Sequence, residues 1–172
     1  MTTQTAQIYN MELFSSSKSP EWYTPATMVE KVIELLGEID LDPCSNPHPY
    51  QIPAKVHYTQ EDDGLSKERH GRVYMNPPYG REISKWTTKL ESEYQSGNVT
   101  EAIALTPARV DTKWFRGINK HPLCFIHGRL KFEIGGSTTN PAPFSSMATY
   151  FGTHPDRFKQ VFQGIGSMYA PY

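Results

Sequence analysis

Two cysteines, Cys44 and Cys124, are all that 172 residues contain. That is too few for a disulfide framework or a cysteine-ligated zinc cluster, and it fits a reducing cytoplasm. No apolar run approaches the roughly 20 residues of a membrane span. The opening MTTQTAQIYN has no basic segment followed by an apolar one, so no secretory leader is expected. The six histidines show no ligand spacing, so no metal site is expected and surface or loop positions are. Nor is the chain strongly charged: its net charge is -1, which by itself does not suggest a nucleic-acid ligand.

What is present is a globular composition, 37% hydrophobic and 12% aromatic, with length enough for one well-filled core. Charge is unevenly spread. Residues 1–59 hold three basic and seven acidic residues, whereas 60–135 hold twelve and ten. Arg81, Lys85, Arg109, Lys113 and Arg116, with Arg129 and Lys131, fall on segments expected near one face of the molecule. A solvated surface would explain them equally well.

The serine-rich stretch 1–20 reads as a loose N-terminal arm, and 21–172 as a single domain. Thr24-Pro25 predicts a helix start, with Thr24 as N-cap and Pro25 at the first helical position. Met28, Val32 and Leu35 or Leu36 follow at helical spacing, up to Gly37 as C-cap. EIDLDP predicts a short strand. Residues 43–58, with four prolines, read as an irregular loop, and YTQEDDGL as a short edge or turn. A strand is expected at Arg72–Met75, a helix over 82–96, a buried strand at Ala102–Thr106 and a short helix over 111–120. Two short strands are expected around Gly128, a flexible loop at GGSTTNPAPF, a last strand in SSMATYFG and a helical tail from PDRFKQVFQGIG. Alternating strands and helices predict a three-layer α/β domain with a mostly parallel sheet.

The most informative tetrapeptide is Asn76-Pro77-Pro78-Tyr79, directly after a strand. A match by chance in a chain of this size is on the order of one in a thousand or less. An amino group conjugated to a ring or carbonyl is a weak nucleophile. To methylate one, an enzyme with an activated sulfonium donor needs neither metal nor covalent intermediate. It needs acceptors for the two N–H groups and close in-line positioning. The Asn76 amide oxygen can take one N–H and the Pro77 carbonyl the other. Pro78 restrains Pro77 to an extended backbone, and Tyr79 offers a stacking face. The end of a strand is where an open α/β sheet places ligands. The tetrapeptide leaves the substrate open among adenine, a guanine of RNA and a protein glutamine.

Beyond this tetrapeptide, the segments EWYTP (21–25), LGEIDLDPCS (36–45), YTQEDDGL (58–65), GRVYMNPPYGR (71–81), IALTPARVDTKWF (103–115), CFIHGRLKF (124–132) and APFSSMATYFG (142–152) together resemble the phage and prophage DNA N6-adenine methyltransferases. The resemblance implies a Rossmann-like S-adenosylmethionine-dependent methyltransferase fold, S-adenosylmethionine as donor, double-stranded DNA as partner and a bacterial cytoplasm as location. It implies that Thr24-Pro25 contacts the donor's carboxylate, a role that a helix start also suits. It places Asp42-Pro43-Cys44-Ser45 in the turn that holds the donor's amino-acid part, with Asp42 accepting from the ammonium. That turn lacks the usual glycines. Cys44 is not expected to be a nucleophile, because Tyr79 stands where such chemistry needs a cysteine. Asp62 or Asp63, with Asp63 favoured, is implied to hold the donor's adenine, and Trp22 is a candidate for lining the same site. Trp86 and Trp114 are expected to pack.

No segment is long enough for a separate large target-recognition region, so loops 80–85, 107–116 and 135–143 are expected to choose the target. Arg81, Lys85, Arg109, Lys113 and Arg116 are expected to meet DNA phosphates. The alternatives are an amino methyltransferase acting on RNA or protein glutamine, and a non-catalytic DNA-binding or anti-restriction module.

Overall fold

A computed structural model describes residues 22–47, 49–134, 137–138 and 141–172. The proposed arm, His48 and part of the 135–143 loop lie outside them. Among the described residues four α-helices flank one large sheet: α1 (Ala26–Leu36), α2 (Ile83–Gln95), α3 (Lys113–Ile118) and α4 (Pro155–Phe162). The strands are β1 (Ile39–Asp42), β2 (Ala54–His57), β3 (Gly71–Met75), β4 (Val99–Pro107), β5 (Leu123–Ile126), β6 (Glu133–Ile134), β7 (Ser137–Thr138), β8 (Ser146–Phe151) and β9 (Gly166–Tyr169). β6 and β7 form a separate two-stranded ribbon, and the other seven strands lie in the order β2-β1-β3-β4-β8-β5-β9.

The sheet is mixed rather than mostly parallel. β2, β1, β3 and β4 run parallel, but β8 is antiparallel to both β4 and β5, and β9 is antiparallel to β5. Helices cover both faces, which gives the three expected layers. α1 and α4 close one core, with Met28, Val32, Leu35, Tyr74, Ile103, Phe158 and Phe162. Residues of α2 and α3 close the other, with Leu41, Val73, Met75, Trp86, Leu90 and Phe151. Central strands read as continuous apolar runs because both faces are covered: every residue of β8 is buried. Trp86 is buried and Trp114 packs partly buried on the same core, as expected.

Gly37 ends α1 as anticipated, at φ 76° with its N–H on the Ile33 carbonyl. The start of α1 differs from the sequence reading. Pro25 is the N-cap residue, its carbonyl accepting from Met28 and Val29, and no side chain caps the helix. The Thr24 hydroxyl is drawn elsewhere, to the buried Tyr74 hydroxyl 2.7 Å away.

Three strands fall where none was expected, one of them β7, within the stretch expected as a flexible loop. β2 lies in the proline-rich stretch, too short and half-exposed to show a pattern, and β9 follows the C-terminal helix. β2 matters for the site. From β1 the chain moves outward to β2 and then crosses back to β3 on the other side of β1. The strand order therefore reverses between β1 and β3, where a doubly wound sheet leaves a crevice at its carboxyl ends.

The turn after β1 is pinned from behind. A Cβ on Gly64 would lie 2.0 Å from the Pro43 carbonyl oxygen and 3.2 Å from the Trp86 ring. Gly64→Ala is expected to lower stability by about 1–3 kcal/mol through overpacking, read as a shift in the denaturation midpoint. An unshifted midpoint would mean that the turn can retreat freely.

Candidate functional site

The register Leu41↔Val73 sets the end of β1 beside the end of β3. β1 ends in Asp42 and β3 is followed directly by Asn76, two polar residues at the mouth of the crevice. A cleft there is lined by Thr24, Asp42, Cys44, Ser45, Tyr50 and Asn76, among others. Of the positions expected to hold the donor, Thr24, Asp42, Cys44 and Ser45 thus share one cleft, and Asn76, expected at both the reacting amino group and the donor, lines it with them. Trp22, Pro25, Pro43, Asp62 and Asp63 do not line it.

Asp42 is 5% exposed. Its Oδ1 accepts from the Cys44 N–H at 3.2 Å, its carbonyl accepts from Tyr58 N–H at 2.9 Å, and Ser45 N–H reaches the Tyr58 carbonyl at 2.8 Å. The turn is therefore tied to the end of β2. Burial raises the Asp42 carboxyl from its ordinary value of 3.8 to about 6, against hydrogen bonds from Ser45 and Cys44 and the weaker influence of His57. A buried carboxylate with no paired cation among the described residues suits a cationic ligand group. Burial pushes the neighbouring Cys44 thiol well above its usual range, so thiolate chemistry is disfavoured there. The Asn76 backbone N–H is hydrogen-bonded to Cys44 and links the two strand ends.

Asn76 is held on both sides of its amide. Nδ2 donates to the Trp22 carbonyl at 2.9 Å and to Thr24 Oγ1 at 3.3 Å. Oδ1 accepts from the Tyr79 hydroxyl at 2.8 Å. Behind that hydroxyl the Tyr79 ring joins Trp22, Phe132 and Phe144. Trp22 lies stacked at 6.4 Å, while Phe144 and Phe132 present edges at 5.2 and 6.3 Å. Pro77 is buried and Pro78 exposed. The arrangement places an oriented amide oxygen beside a cluster of aromatic faces, next to a cleft with a buried carboxylate. It can hold a flat ring bearing an amino group and, alongside, a cationic group.

Neither Asp62 nor Asp63 is among the residues lining that cleft. Asp62 Oδ2 accepts from the Thr59 N–H at 2.8 Å and the Thr59 hydroxyl at 3.0 Å in a capping box, and these bonds hold its carboxyl below the usual range. Asp63 sits in the left-handed region at φ 51° and is exposed. Arg81, Lys85, Arg109, Lys113 and Arg116 are all exposed, on the loop into α2, on the β4–α3 loop and on the two helices themselves; Lys85 pairs with Glu82. The β4–α3 loop is tied to the aromatic cluster's own loop, because the Ala108 N–H reaches the Ser145 carbonyl at 2.8 Å, one residue from Phe144.

Sequence reasoning missed Tyr50, Tyr74, Phe132 and Phe144. Tyr74 and Phe132 read as ordinary core residues. Tyr50 lies in the proline-rich loop, stacked 3.9 Å from the His57 ring. His57 and His121 are also more engaged than loop residues: His57 Nε2 lies 2.8 Å from the Ile52 carbonyl, and His121 is 9% exposed against Glu91. Among the described residues no three histidines, cysteines or acids converge as a metal site, and no helix is long and apolar enough to cross a membrane.

The profile of a family described as DNA N-6-adenine-methyltransferase (Dam) matches residues 14–151. No curated protein matches the chain.

The buried carboxylate makes a prediction that concerns the protein alone. Because the folded-state value of Asp42 lies above the unfolded one, the folded state holds more protons between pH 3.8 and about 6. This group therefore costs stability above pH 6, and the cost fades as pH falls towards 4. Asp42→Asn is expected to be more stable than the wild type at pH 7.5, by roughly 1–3 kcal/mol. The advantage should shrink between pH 6 and 4 in parallel thermal melts. Equal stability at pH 7.5 would show that the carboxylate is not costly where it sits.

Proposed function

The chain belongs to the DNA N-6-adenine-methyltransferase (Dam) family, and from that membership we propose that it transfers a methyl group from S-adenosylmethionine to N6 of adenine in double-stranded DNA. The observation that carries this reading is Asn76 at the end of β3, its amide oxygen turned away from Trp22 and towards the aromatic cluster, next to the cleft of Asp42.

S-adenosylmethionine supplies an electrophilic methyl group on a sulfonium. The donor set fits it, because the buried Asp42 carboxylate has no paired cation among the described residues and the donor's amino-acid end carries an ammonium. In this reading Asp42, Ser45 and the Pro43-Cys44 turn hold that end. Thr24 and Pro25 stand near the carboxylate, Trp22 borders the site, and Asp63 or Asp62 faces the adenine part. Asn76 Oδ1 accepts one N6–H of the target adenine and the Pro77 carbonyl the other. Pro78 keeps that carbonyl in place, and the adenine ring stacks on Tyr79 after leaving the duplex. The incoming amino group takes over the bond that the Tyr79 hydroxyl makes to Asn76 Oδ1. The acceptors stabilise N6 as it becomes tetrahedral and positive, and its surplus proton departs to water.

Residues 21–172 act as one catalytic unit, and loops 80–85, 107–116 and 135–143 choose the target. We read the chain as phage-encoded and its product as protection of DNA from restriction. DNA from cells expressing it should then resist a nuclease blocked by N6-methyladenine.

Incubation with labelled donor and DNA, RNA or protein, followed by digestion, tests the reaction. N6-methyladenine in DNA is the expected product. Label in RNA or in glutamine would replace the substrate, and none at all would favour a non-catalytic DNA-binding module. Asn76→Ala is expected to slow single-turnover methylation about a hundredfold or more. Tyr79→Ala should weaken capture of the extruded base by roughly 1–3 kcal/mol, and Tyr79→Phe, which keeps the ring and uncaps Asn76, should be mild. A folded Asn76→Ala with a normal rate would remove the main support.

Neutralising Arg81, Arg109 or Lys113 is expected to weaken binding to all sequences and to reduce the salt slope by roughly one unit per lost phosphate contact. Unchanged slopes for all three would place the DNA face elsewhere; Lys85 and Arg116 are next in line.

A further inference from the structure

Asn76 can serve as acceptor only if its amide is the right way round. Turned over, its oxygen would face the Trp22 carbonyl oxygen, two acceptors with no hydrogen between them, and its nitrogen would face the target. The Trp22 carbonyl alone sets the sense of the amide, through a 2.9 Å bond to Nδ2. The second partner of Nδ2, Thr24 Oγ1, lies further off at 3.3 Å, and it is a hydroxyl that could rotate or turn to another partner. What holds it is Tyr74. That side chain rises from the middle of β3, two residues before Asn76, 1% exposed, with its hydroxyl 2.7 Å from Thr24 Oγ1. Thr24 is itself 2% exposed, so water competes little for the pair. Whichever hydroxyl donates, the Tyr74 bond leaves a Thr24 lone pair for the amide. Burial also raises the Tyr74 phenol well above its usual range, so it remains a hydroxyl.

We propose that Tyr74, acting through Thr24, is a positioning residue that steadies the Asn76 amide in the sense set by the Trp22 carbonyl, with its oxygen towards the target amino group. Thr24 thereby acquires a role distinct from contact with the donor: its hydroxyl braces the acceptor. The same bond explains why Thr24 does not cap α1, since its side chain is turned inward to Tyr74. Tyr74 also lines the cleft of Asp42, but the role proposed for it is exerted through its hydroxyl on Thr24. The chain of bonds runs Tyr74 hydroxyl, Thr24 hydroxyl, Asn76 Nδ2, and across the amide to Oδ1 and the Tyr79 hydroxyl.

The proposal rests on the adenine-methylation reading for its rate measurement but has a readout independent of it. In protein labelled with 15N-asparagine, the Asn76 side-chain amide protons should exchange slowly with water. Tyr74→Phe, which keeps the ring, should speed that exchange roughly tenfold, the loss of one modest hydrogen bond, with the backbone amides of β3 unaffected. In single-turnover methylation at saturating donor, Tyr74→Phe should be slower by a similar factor, with donor and DNA dissociation constants within about twofold of wild type. Thr24→Val should show the same loss, and Thr24→Ser, which restores the hydroxyl, should recover most of it. Unchanged exchange in Tyr74→Phe overturns the proposal, as does a loss of donor affinity in proportion to the loss of rate. Absence of adenine methylation by the wild type would instead overturn the functional reading, and the exchange measurement would still decide the role of Tyr74.

Discussion

The parallel pairing of β1 with β3 is the constraint on which the site depends. Leu41 against Val73 sets the register, and both are wholly buried, so a slip would expose core and bury polar side chains. With the register set, Asp42 and Asn76 come off neighbouring strand ends, and the chain supplies no crossover above them because β2 lies on the far side of β1. The other ties are consequences. The Asp42 and Ser45 backbones bond to Tyr58, Cys44 meets the Asn76 N–H, and Gly64 backs the Pro43 carbonyl so closely that no side chain would fit. The first ties the turn after β1 to the end of β2, the second joins it to the end of β3, and the third backs it from behind.

Much of this architecture was legible in the sequence, and the failures have physical causes. α1 and α2 announced themselves because Met28, Val32, Leu35 and then Ile83, Trp86, Leu90 recur at helical spacing. β3, β4 and β8 did so as apolar runs. β2 and β9 could not, since most of their residues are exposed or half-exposed and carry no apolar run, and their pairing is decided by β1 and β5. The mixed direction of the sheet was equally hidden: a run of alternating elements does not say that β8 will slot between β4 and β5. At the site, Asn76 was visible through the Asn76-Pro77-Pro78-Tyr79 tetrapeptide, and Asp42 only through the family resemblance of its segment. Tyr74, Phe132 and Phe144 were not, because an aromatic residue in an apolar setting looks the same whether it fills space or braces an amide. Arg69 is the extreme case: 0% exposed, it lies 5.2 Å over the Trp86 ring and donates to the Trp86 carbonyl, a placement no charged residue betrays from sequence.

The two halves of the site are built on opposite electrostatic principles. Around Asp42 the protein accepts an unfavourable buried charge, the usual mark of a place where a ligand completes the structure. Around Asn76 it does the reverse. The amide has partners at both ends, so its hydrogen-bonding capacity is engaged before any ligand arrives. One half is left short of a partner and the other is supplied with an exchangeable one.

The position of β8 bears on how the chain assembles. β5 precedes β8 in the sequence but lies outboard of it, so β4 and β5 have no direct edge to share. During synthesis β2, β1, β3 and β4 can zip together early, leaving β4 with an open edge of nine residues and β5 with nowhere to dock. Only when residues 146–151 emerge does the central strand arrive that joins them. The fold is thus completed from its middle and late, by contacts between distant parts of the chain, a slow class of folding event. In that interval the longest, most apolar strand edge of the protein stands unprotected, which makes the nascent chain, more than the finished one, vulnerable to edge-to-edge association.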